Sequence, residues 1–396
     1  MLRTSVRSFA LVVAAASVLV AGAISPGVAV AEDAAAPPRA SATQPFEPPL
    51  VVVGTAIERG EAYGKAYKQE IQNLLETELY AMFVGKPWDK EGMQKYAHEC
   101  GRVTREVCPL MAAECDGIAK GAGVSYDDII LINLHEEIRQ MKGDVTSQGH
   151  CTAVAVSPAD SGDGHAYNGQ TWDFYTRLAG LSAMTEWQRT DGPSVLAYGY
   201  PGMPMGAGIN SQGIAVTWTS GNNKQTRHVG VPSYLMIGHF LAQKNLDDVE
   251  REAKRNKHAG IFTIVISDAA GNILNVEGGP GQDVVVERSK DRMARAYYGT
   301  RQMTKSPATG KVKLHPRCQQ MYDLLESSSG KNDLATIERY FSGREYKIMG
   351  WQSPENKTLD IMIFDTTDRK AYVTRGPAYH LEWREFAFHE IGRAHV

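Results

Sequence analysis

Cysteine is scarce in this chain of 396 residues: Cys100, Cys108, Cys115, Cys151 and Cys318 are all it has. An odd count leaves at least one thiol free or bridged to another chain. No C-x-x-C pair occurs, so His98, Cys100, Cys108 and Cys115 lack the close spacing of a structural zinc site. The histidines show no metal pattern either. "HEEIR" at His135–Arg139 puts Arg139 where H-E-x-x-H needs its second histidine. The expectation is therefore no metal and no cofactor. A basic stripe is missing as well, and the formal net charge is −3, which argues against a nucleic-acid partner. Beyond the N-terminal run there is no long apolar stretch, so the mature chain is expected to have no membrane contact. No fixed-period repeat is present.

What remains is ordinary globular composition, 43% hydrophobic and 22% charged, long enough to bury a large core. If Cys108 and Cys115 share one helix, roughly 10 Å of rise separates them. That is too far for a disulfide, which needs Cα atoms within about 7 Å. Cys100 and Cys108 can pair if the chain turns before Pro109.

Residues 1–31 read as a secretory signal peptide: Arg3 and Arg7, the apolar run "FALVVAAASVLVAGAI", then "AVA" at Ala29–Ala31. A membrane anchor is the alternative; Pro26 and the A-x-A site before Glu32 favour cleavage. The expected location is secreted or periplasmic. Residues 32–49 read as a disordered linker. Residues 390–396, "EIGRAHV", match one frame of a common sequencing adapter and are assigned no function.

Between these ends the hydrophobic period changes once. Residues 50–150 carry helical patterning. One helix is expected over Glu58–Phe83 and another over "DKEGMQKYAHECGRVTREV". A third starts at Pro109, and a fourth is opened by a Ser125/Asp128 capping box. From Cys151 to residue 389 the chain reads as short β-branched runs bounded by turn residues, with paired helices between them. Two sheets sandwiched between helix layers satisfy that order, an α+β class.

The change of period falls on "SQGHCTAVAV" (Ser147–Val156). Cys151 there is half of a disulfide, a buried small side chain, or a nucleophile. Most cysteines are core residues or disulfide partners, so residue type alone favours the first two. The third reading has a definite chemistry. If the bond between His150 and Cys151 is cut, Cys151 carries both a thiol and a free α-amine, whose ordinary pKa is about 7.7–8.0. That amine takes the thiol proton without a separate histidine base. The thiol can make the cut itself by attacking the His150 carbonyl, leaving a thioester for water to resolve. A papain-like protease is a further class; it needs the C-G-x-C-[WY] context, which "GHCTAV" lacks.

"MAAECDGIAKGAGVSYDDIILINLHEEI" (Met111–Ile138) resembles the segment before the nucleophile in the acyl-coenzyme A:6-aminopenicillanic acid acyltransferase family, a cysteine-peptidase-like branch of the N-terminal-nucleophile hydrolases. Its marks are Glu114 before "GIAKGAG" and an Asn-x-Arg-x-Glu element, here Asn133, His135 and Glu137, with histidine for arginine. "CTAVAV", "NGQTWDF" (Asn168–Phe174), "GINSQGIAVTWTS" and the closing "IMIFDTTDRKAYVTRGPAYHLEWREFAF" are similar to the family's later motifs, over about residues 55 to 388. The resemblance implies a four-layer αββα fold preceded by a helical α segment, and self-cleavage before Cys151. It implies an αβ heterodimer acting on a small amide or acyl substrate. Cys151 would be the nucleophile, and Asp173 would hold the α-amine; without the flanking motif Asp173 is a turn or cap carboxylate. Gln170 and Trp172 would line the site, Trp172 being otherwise core. His150 stands where a small residue is expected. The family's late-strand asparagine, which binds the oxyanion, is absent from "ARAYYGTRQM" (Ala294–Met303). Backbone N–H groups, Tyr297 or Tyr298 are the substitutes. Asn210 is another, although its place before Gly213 suits a turn. "YGYPGMPMGAG" (Tyr198–Gly208) would wall an acyl pocket or form a packed loop. The competing class is an uncleaved, inactive binding protein on the same fold.

Overall fold

The structure, a computed structural model, describes residues 44–85, 88–142, 151–220, 227–255, 257–279, 284–296, 315–349, 356–375 and 382–389. The expectations for residues 1–31, for His150, Tyr297 and Tyr298, and for residues 390–396 lie outside them.

Local signals start and stop the first helices. Thr55 and Glu58 exchange hydrogen bonds as a capping box ahead of α1 (Ala56–Ala66). The single helix expected over Glu58–Phe83 is instead α1, α2 (Lys68–Asn73), π-helical turns (Leu74–Tyr80) and α3 (Ala81–Phe83). The first break is at Tyr67 (φ −110°, ψ 23°), where the ring turns inward and lies 4.8 Å from that of Tyr63. Asp89 caps α4 (Lys90–Val107). Pro109 opens α5 (Pro109–Ala122), which Gly123 ends at φ +70°. Ser125 and Asp128 form the expected box ahead of α6 (Tyr126–Asn133); the chain breaks at Leu134 and resumes as α7 (His135–Lys142). Because α4 runs unbroken from Cys100 to the residue before Cys108, roughly 12 Å of rise separates those two thiols. They do not pair, and all five cysteines are free and buried.

Two sheets follow. The larger runs in the order β1 (Leu50–Gly54), β4 (Ala183–Arg189), β5 (Val195–Tyr200), β6 (Met203–Asn210), β7 (Ala215–Ser220), β8 (Phe262–Ser267), β9 (Ile273–Gly278) and β10 (Val285–Ser289). The smaller runs β11 (Arg292–Ala296), β2 (Thr152–Val156), β3 (Tyr167–Tyr175), β12 (Asn356–Asp365), β13 (Lys370–Arg375) and β14 (Arg384–Ala387). β2, β3, β7 and β8 pack the sheets face to face. On the outer face of the larger sheet lie α1, α6 and α8 (Ser233–Leu241), with α9 (Leu246–Lys254) against β9. α10 (Pro316–Ser327) and α11 (Leu334–Ser342) cover the smaller one. The result is the expected α+β sandwich in four layers, αββα. No helix among the described residues is long and apolar enough to cross a membrane.

Three expectations need correction. The segment from residue 50 to 150 is not wholly helical: β1 adds a parallel strand beside β4. The stretch expected as linker over 32–49 is anchored at its end. Phe46 is buried, its ring 6.2 Å from Tyr198 and 6.5 Å from Phe386, with the Arg375 guanidinium 4.1 Å above it. An aromatic ring with that much apolar surface gains more from burial than a linker gains from solvation. Tyr198–Gly208 is not a loop: it lies within the β5–β6 hairpin, turned at Gly202 (φ +80°).

α1 and α5 touch backbone to backbone. A Cβ at Gly60 would lie 2.1 Å from the Glu114 carbonyl oxygen, and one at Gly121 2.2 Å from that of Glu61. Gly64 and Gly117 are as tightly placed, at 2.3 and 2.2 Å from the carbonyls of Ile118 and Ile57. Gly60→Ala or Gly121→Ala must push the helices apart. Each is expected to lower the unfolding free energy by about 1–3 kcal/mol or more, read from urea midpoints. Gly192→Ala, whose new Cβ meets nothing nearer than 4.0 Å, is the control and should change it by under about 0.5 kcal/mol.

Candidate active site

β2 and β3 pair antiparallel in the register Val156↔Tyr167 through Ala153↔Gln170. Continued by two residues, that register sets Cys151 across from Trp172 and within reach of Asp173. The Asp173 N–H donates to the Cys151 sulfur at 3.5 Å. The Thr152 N–H is held by the Thr171 hydroxyl at 2.9 Å, which fixes the start of β2. The Asp173 carboxylate is held in turn: Arg317 Nη1, from the first turn of α10, donates to Oδ2 at 2.6 Å, and the Thr358 hydroxyl donates to Oδ1 at 2.6 Å. Thr358 is Asp173's partner on β12, just before a bulge in that pairing.

Cys151 is 6% exposed. Burial, and after it the negative charge of Asp173, push its thiol well above the ordinary range, with a lesser contribution from Glu136. In the uncut chain the sulfur is a neutral thiol at neutral pH.

The other expected site residues fall in two groups. Gln170 and Trp172 share a face of β3 near Cys151. The Trp218 N–H donates to Gln170 Oε1 at 2.7 Å. The Trp172 ring is buried among Tyr198, Tyr200, Trp218 and Tyr234, with centroids 5.1 to 6.3 Å away. Asn210 is not brought to the thiol. It ends β6, and its amide is spent: Oδ1 accepts from the N–H groups of Gln212 and Ile214, and Nδ2 donates to the carbonyls of Leu241 and Gln243. It is a turn and helix-end residue.

The helical segment contributes more than a leader. Glu136 on α7 pairs with Arg139 through Oε2···Nε at 2.9 Å and Oε1···Nη2 at 2.5 Å, and Gln140 ties α7 to Ile261. Within the Asn-x-His-x-Glu element, Asn133 donates to the Gly202 carbonyl at 2.9 Å. His135 lies against Phe83, Phe174 and Tyr175, and burial drives its pKa down to about 3, so it is neutral. Glu137 Oε1 accepts from the Ser233 N–H at 2.8 Å and the Ser233 hydroxyl at 2.7 Å, at the start of α8. Burial raises its pKa to about 7. Glu114 takes two arginines in full burial, Arg59 Nη2 at 2.9 Å and Arg189 Nη2 at 3.0 Å, and so locks α5 to α1 and β4.

Sequence reasoning did not single out Arg317, Thr358 or the Glu136–Arg139 pair. "HPRCQQ" and "NKTLD" look like an ordinary helix start and strand start, and nothing local marks them. His165, Asp365 and Asp368 gather donor atoms elsewhere. There His165 Nδ1 meets Asp365 Oδ2 at 2.7 Å while Asp365 Oδ1 accepts two backbone N–H groups, closing the β12–β13 turn.

A family model described as acyl-coenzyme A:6-aminopenicillanic acid acyl-transferase matches residues 160–378, beginning after Cys151. The chain is 26% identical over 184 residues to the acyl-coenzyme A:6-aminopenicillanic-acid-acyltransferase 40 kDa form of Emericella nidulans, covering 46% of this chain and 50% of that protein. It thus spans about half the length of the curated relative it matches. Among solved structures, a variant of conjugated bile acid hydrolase from Clostridium perfringens aligns at 12% identity and TM-score 0.43, over 62% of this chain and 100% of that one. Penicillin V acylase from Agrobacterium tumefaciens aligns at 11% identity and TM-score 0.38, over 59% of this chain and 85% of that one.

Two outcomes follow from the charges. Removing Arg317 alone strands a buried carboxylate, so Arg317→Met should cost about 3–5 kcal/mol of stability. Combined with Asp173→Asn, the loss measured by urea denaturation should be smaller than the sum of the single losses. Glu137 works in the opposite sense. Its folded pKa of about 7 lies above the ordinary 4.5, so the unfolded chain ionises first and stability falls between those two pH values. Glu137→Gln should therefore gain stability relative to wild type at pH 8 compared with pH 4, read from paired urea midpoints.

Proposed function

Because the chain belongs to the acyl-coenzyme A:6-aminopenicillanic acid acyl-transferase family, we propose that it is an exported, self-processing N-terminal-nucleophile amidohydrolase or acyltransferase. It acts on a small amide or N-acyl substrate through a thioester on Cys151. The observation that carries this reading is the junction of β2 and β3. A lone cysteine opens β2, a backbone N–H lies on its sulfur, and beside it is a carboxylate fixed by Arg317 and Thr358.

In this reading the bond between His150 and Cys151 is broken by the thiol itself. The new α-amine then accepts the thiol proton, and the Asp173 carboxylate holds the resulting ammonium beside the sulfur. Sulfur attacks the substrate carbonyl, the amine leaves with that proton, and water releases the acid. The two chains stay together without the peptide bond, because β1 pairs with β4 and Glu114 on α5 binds Arg189 on β4 as well as Arg59 on α1. The signal-peptide reading of residues 1–31 places the enzyme outside the cytoplasm. Water is abundant there and acyl-coenzyme A is not, so hydrolysis is favoured over transfer. Burial of the Cys151 sulfur supports a second reading, an uncut binding protein on the same fold.

Intact mass and N-terminal sequencing separate them. Wild type is expected as two chains, one starting at Cys151, and Cys151→Ala as a single chain. A single folded chain in both would leave the binding protein as the better reading.

A further inference from the structure

We propose that Gln170 supplies the oxyanion-binding amide that Ala294–Met303 lacks. The inference rests on the thioester chemistry proposed for Cys151. On β2, Val154 and Val156 pack with Cys318, Met321 and Phe341 on the α10–α11 side, whereas Ala153 and Ala155 pack with Val265 and Ile273 of the facing sheet. Alternation along the strand therefore puts Cys151 on the face between the sheets. β3 presents Asn168, Gln170 and Trp172 to that same face: Asn168 Nδ2 donates to the Val265 carbonyl at 3.3 Å, and the Trp172 ring meets that of Trp218. Gln170 is directly across from Ala153 and so diagonal to Cys151, a separation that a long side chain spans.

The orientation of its amide is settled by its partner. A backbone N–H needs an acceptor, so the atom facing the Trp218 N–H is Oε1, and Nε2 is the end left over. That Trp218 N–H is available because β6 and β7 pair only at Gly208↔Val216 and Ile209↔Ala215, and Gln170 meets β7 beyond the paired stretch. Gln170 is fully buried, and its Nε2 has no partner among the described residues. A buried amide donor without an acceptor destabilises the resting protein. It is the state expected of a donor whose acceptor exists only during turnover.

The Cys151 sulfur bonds to the acyl carbon, its proton passes to the α-amine, and the negative charge falls on the former carbonyl oxygen. Gln170 Nε2 and the Asp173 N–H donate to that oxygen. Its collapse breaks the bond to the leaving group, which takes the proton from the α-ammonium, and leaves the thioester; water then adds, giving a proton to the α-amine, and the sulfur departs with that proton, releasing the acid.

The test removes the donor and keeps the bulk. In wild type, Gln170→Met and Gln170→Glu, residues 147–150 are replaced by the factor Xa site IEGR, so that exposure of Cys151 as an N-terminus does not depend on Gln170. Two reactions of the cut proteins are compared: p-nitrophenolate release from p-nitrophenyl acetate, which passes through an oxyanion, and alkylation of Cys151 by iodoacetamide, which does not. Gln170→Met is expected to slow p-nitrophenolate release ~10²–10³-fold while alkylation keeps the wild-type rate. Gln170→Glu retains an acceptor for Trp218 and should slow the ester reaction likewise, so either folded variant decides. Wild-type ester turnover in a folded variant, or equal slowing of both reactions, overturns the assignment. If the cut wild type releases no p-nitrophenolate although iodoacetamide labels Cys151, the thioester reading fails first and the assignment falls with it.

Discussion

The antiparallel register of β2 against β3 is the constraint on which the site depends. A strand has a period of two, so slipping β2 by one residue against β3 would send Cys151 to the helix-facing side, away from Gln170 and Trp172. The register is held from several directions. Thr171 takes the Thr152 N–H, Asn168 reaches across to the facing sheet, and Asp173 is clamped from α10 and β12. The clamp holds Asp173 on β3 from the α10 and β12 side, while the thiol comes from the start of the neighbouring strand β2.

The helical segment is joined to the rest by interactions that survive a broken backbone. Glu114 in full burial binds two arginines, one on α1 and one on β4. A buried charge with bidentate partners is costly to separate even where its net contribution to stability is small. The glycine-lined contact of α1 with α5 fixes where Glu114 sits, and β1 completes the larger sheet beside β4. Glu137 caps the start of α8 from α7, and Asn133 pins the β5–β6 turn. Family-like residues before Cys151 thus act here as fasteners between the segment that precedes it and the rest of the core.

Much of the fold was legible because its signals are local. Caps at Asp89, Ser125, Asn245 and Asp333, the proline opening α5 and the glycine ending it all lie within a few residues of what they control. The illegible parts depend on distant partners. "MPMGAG" has no strand-like composition, yet β6 forms because β5 and α8 cover it, and its glycines make room for Trp172 and Leu241. Phe46 looks like linker until Tyr198 and Phe386 are beside it. In the site, Cys151 and Asp173 stood out through their flanking motifs. Arg317 and Thr358 did not, since 144 and 185 residues separate them from the carboxylate they hold.

In the self-processing reading proposed above, electrostatics give the cut a second role beyond exposing an amine. In the connected chain the two largest influences on the Cys151 sulfur, burial and then the charge of Asp173, disfavour a thiolate, and the hydrogen bond from the Asp173 N–H offsets them only in part. The cation nearest in the hydrogen-bond pattern, Arg317, is committed to Asp173. A nucleophile in that setting needs either solvent or a positive charge of its own. Cutting before Cys151 creates a protonatable amine on the same residue, adjacent to a carboxylate already oriented by two donors. The negative charge that opposes ionisation in the uncut chain then stabilises the ammonium formed when the thiol gives up its proton. On that reading the same Asp173 keeps the uncut thiol quiet and would support the cut one, the change of sign coming from a single new positive group.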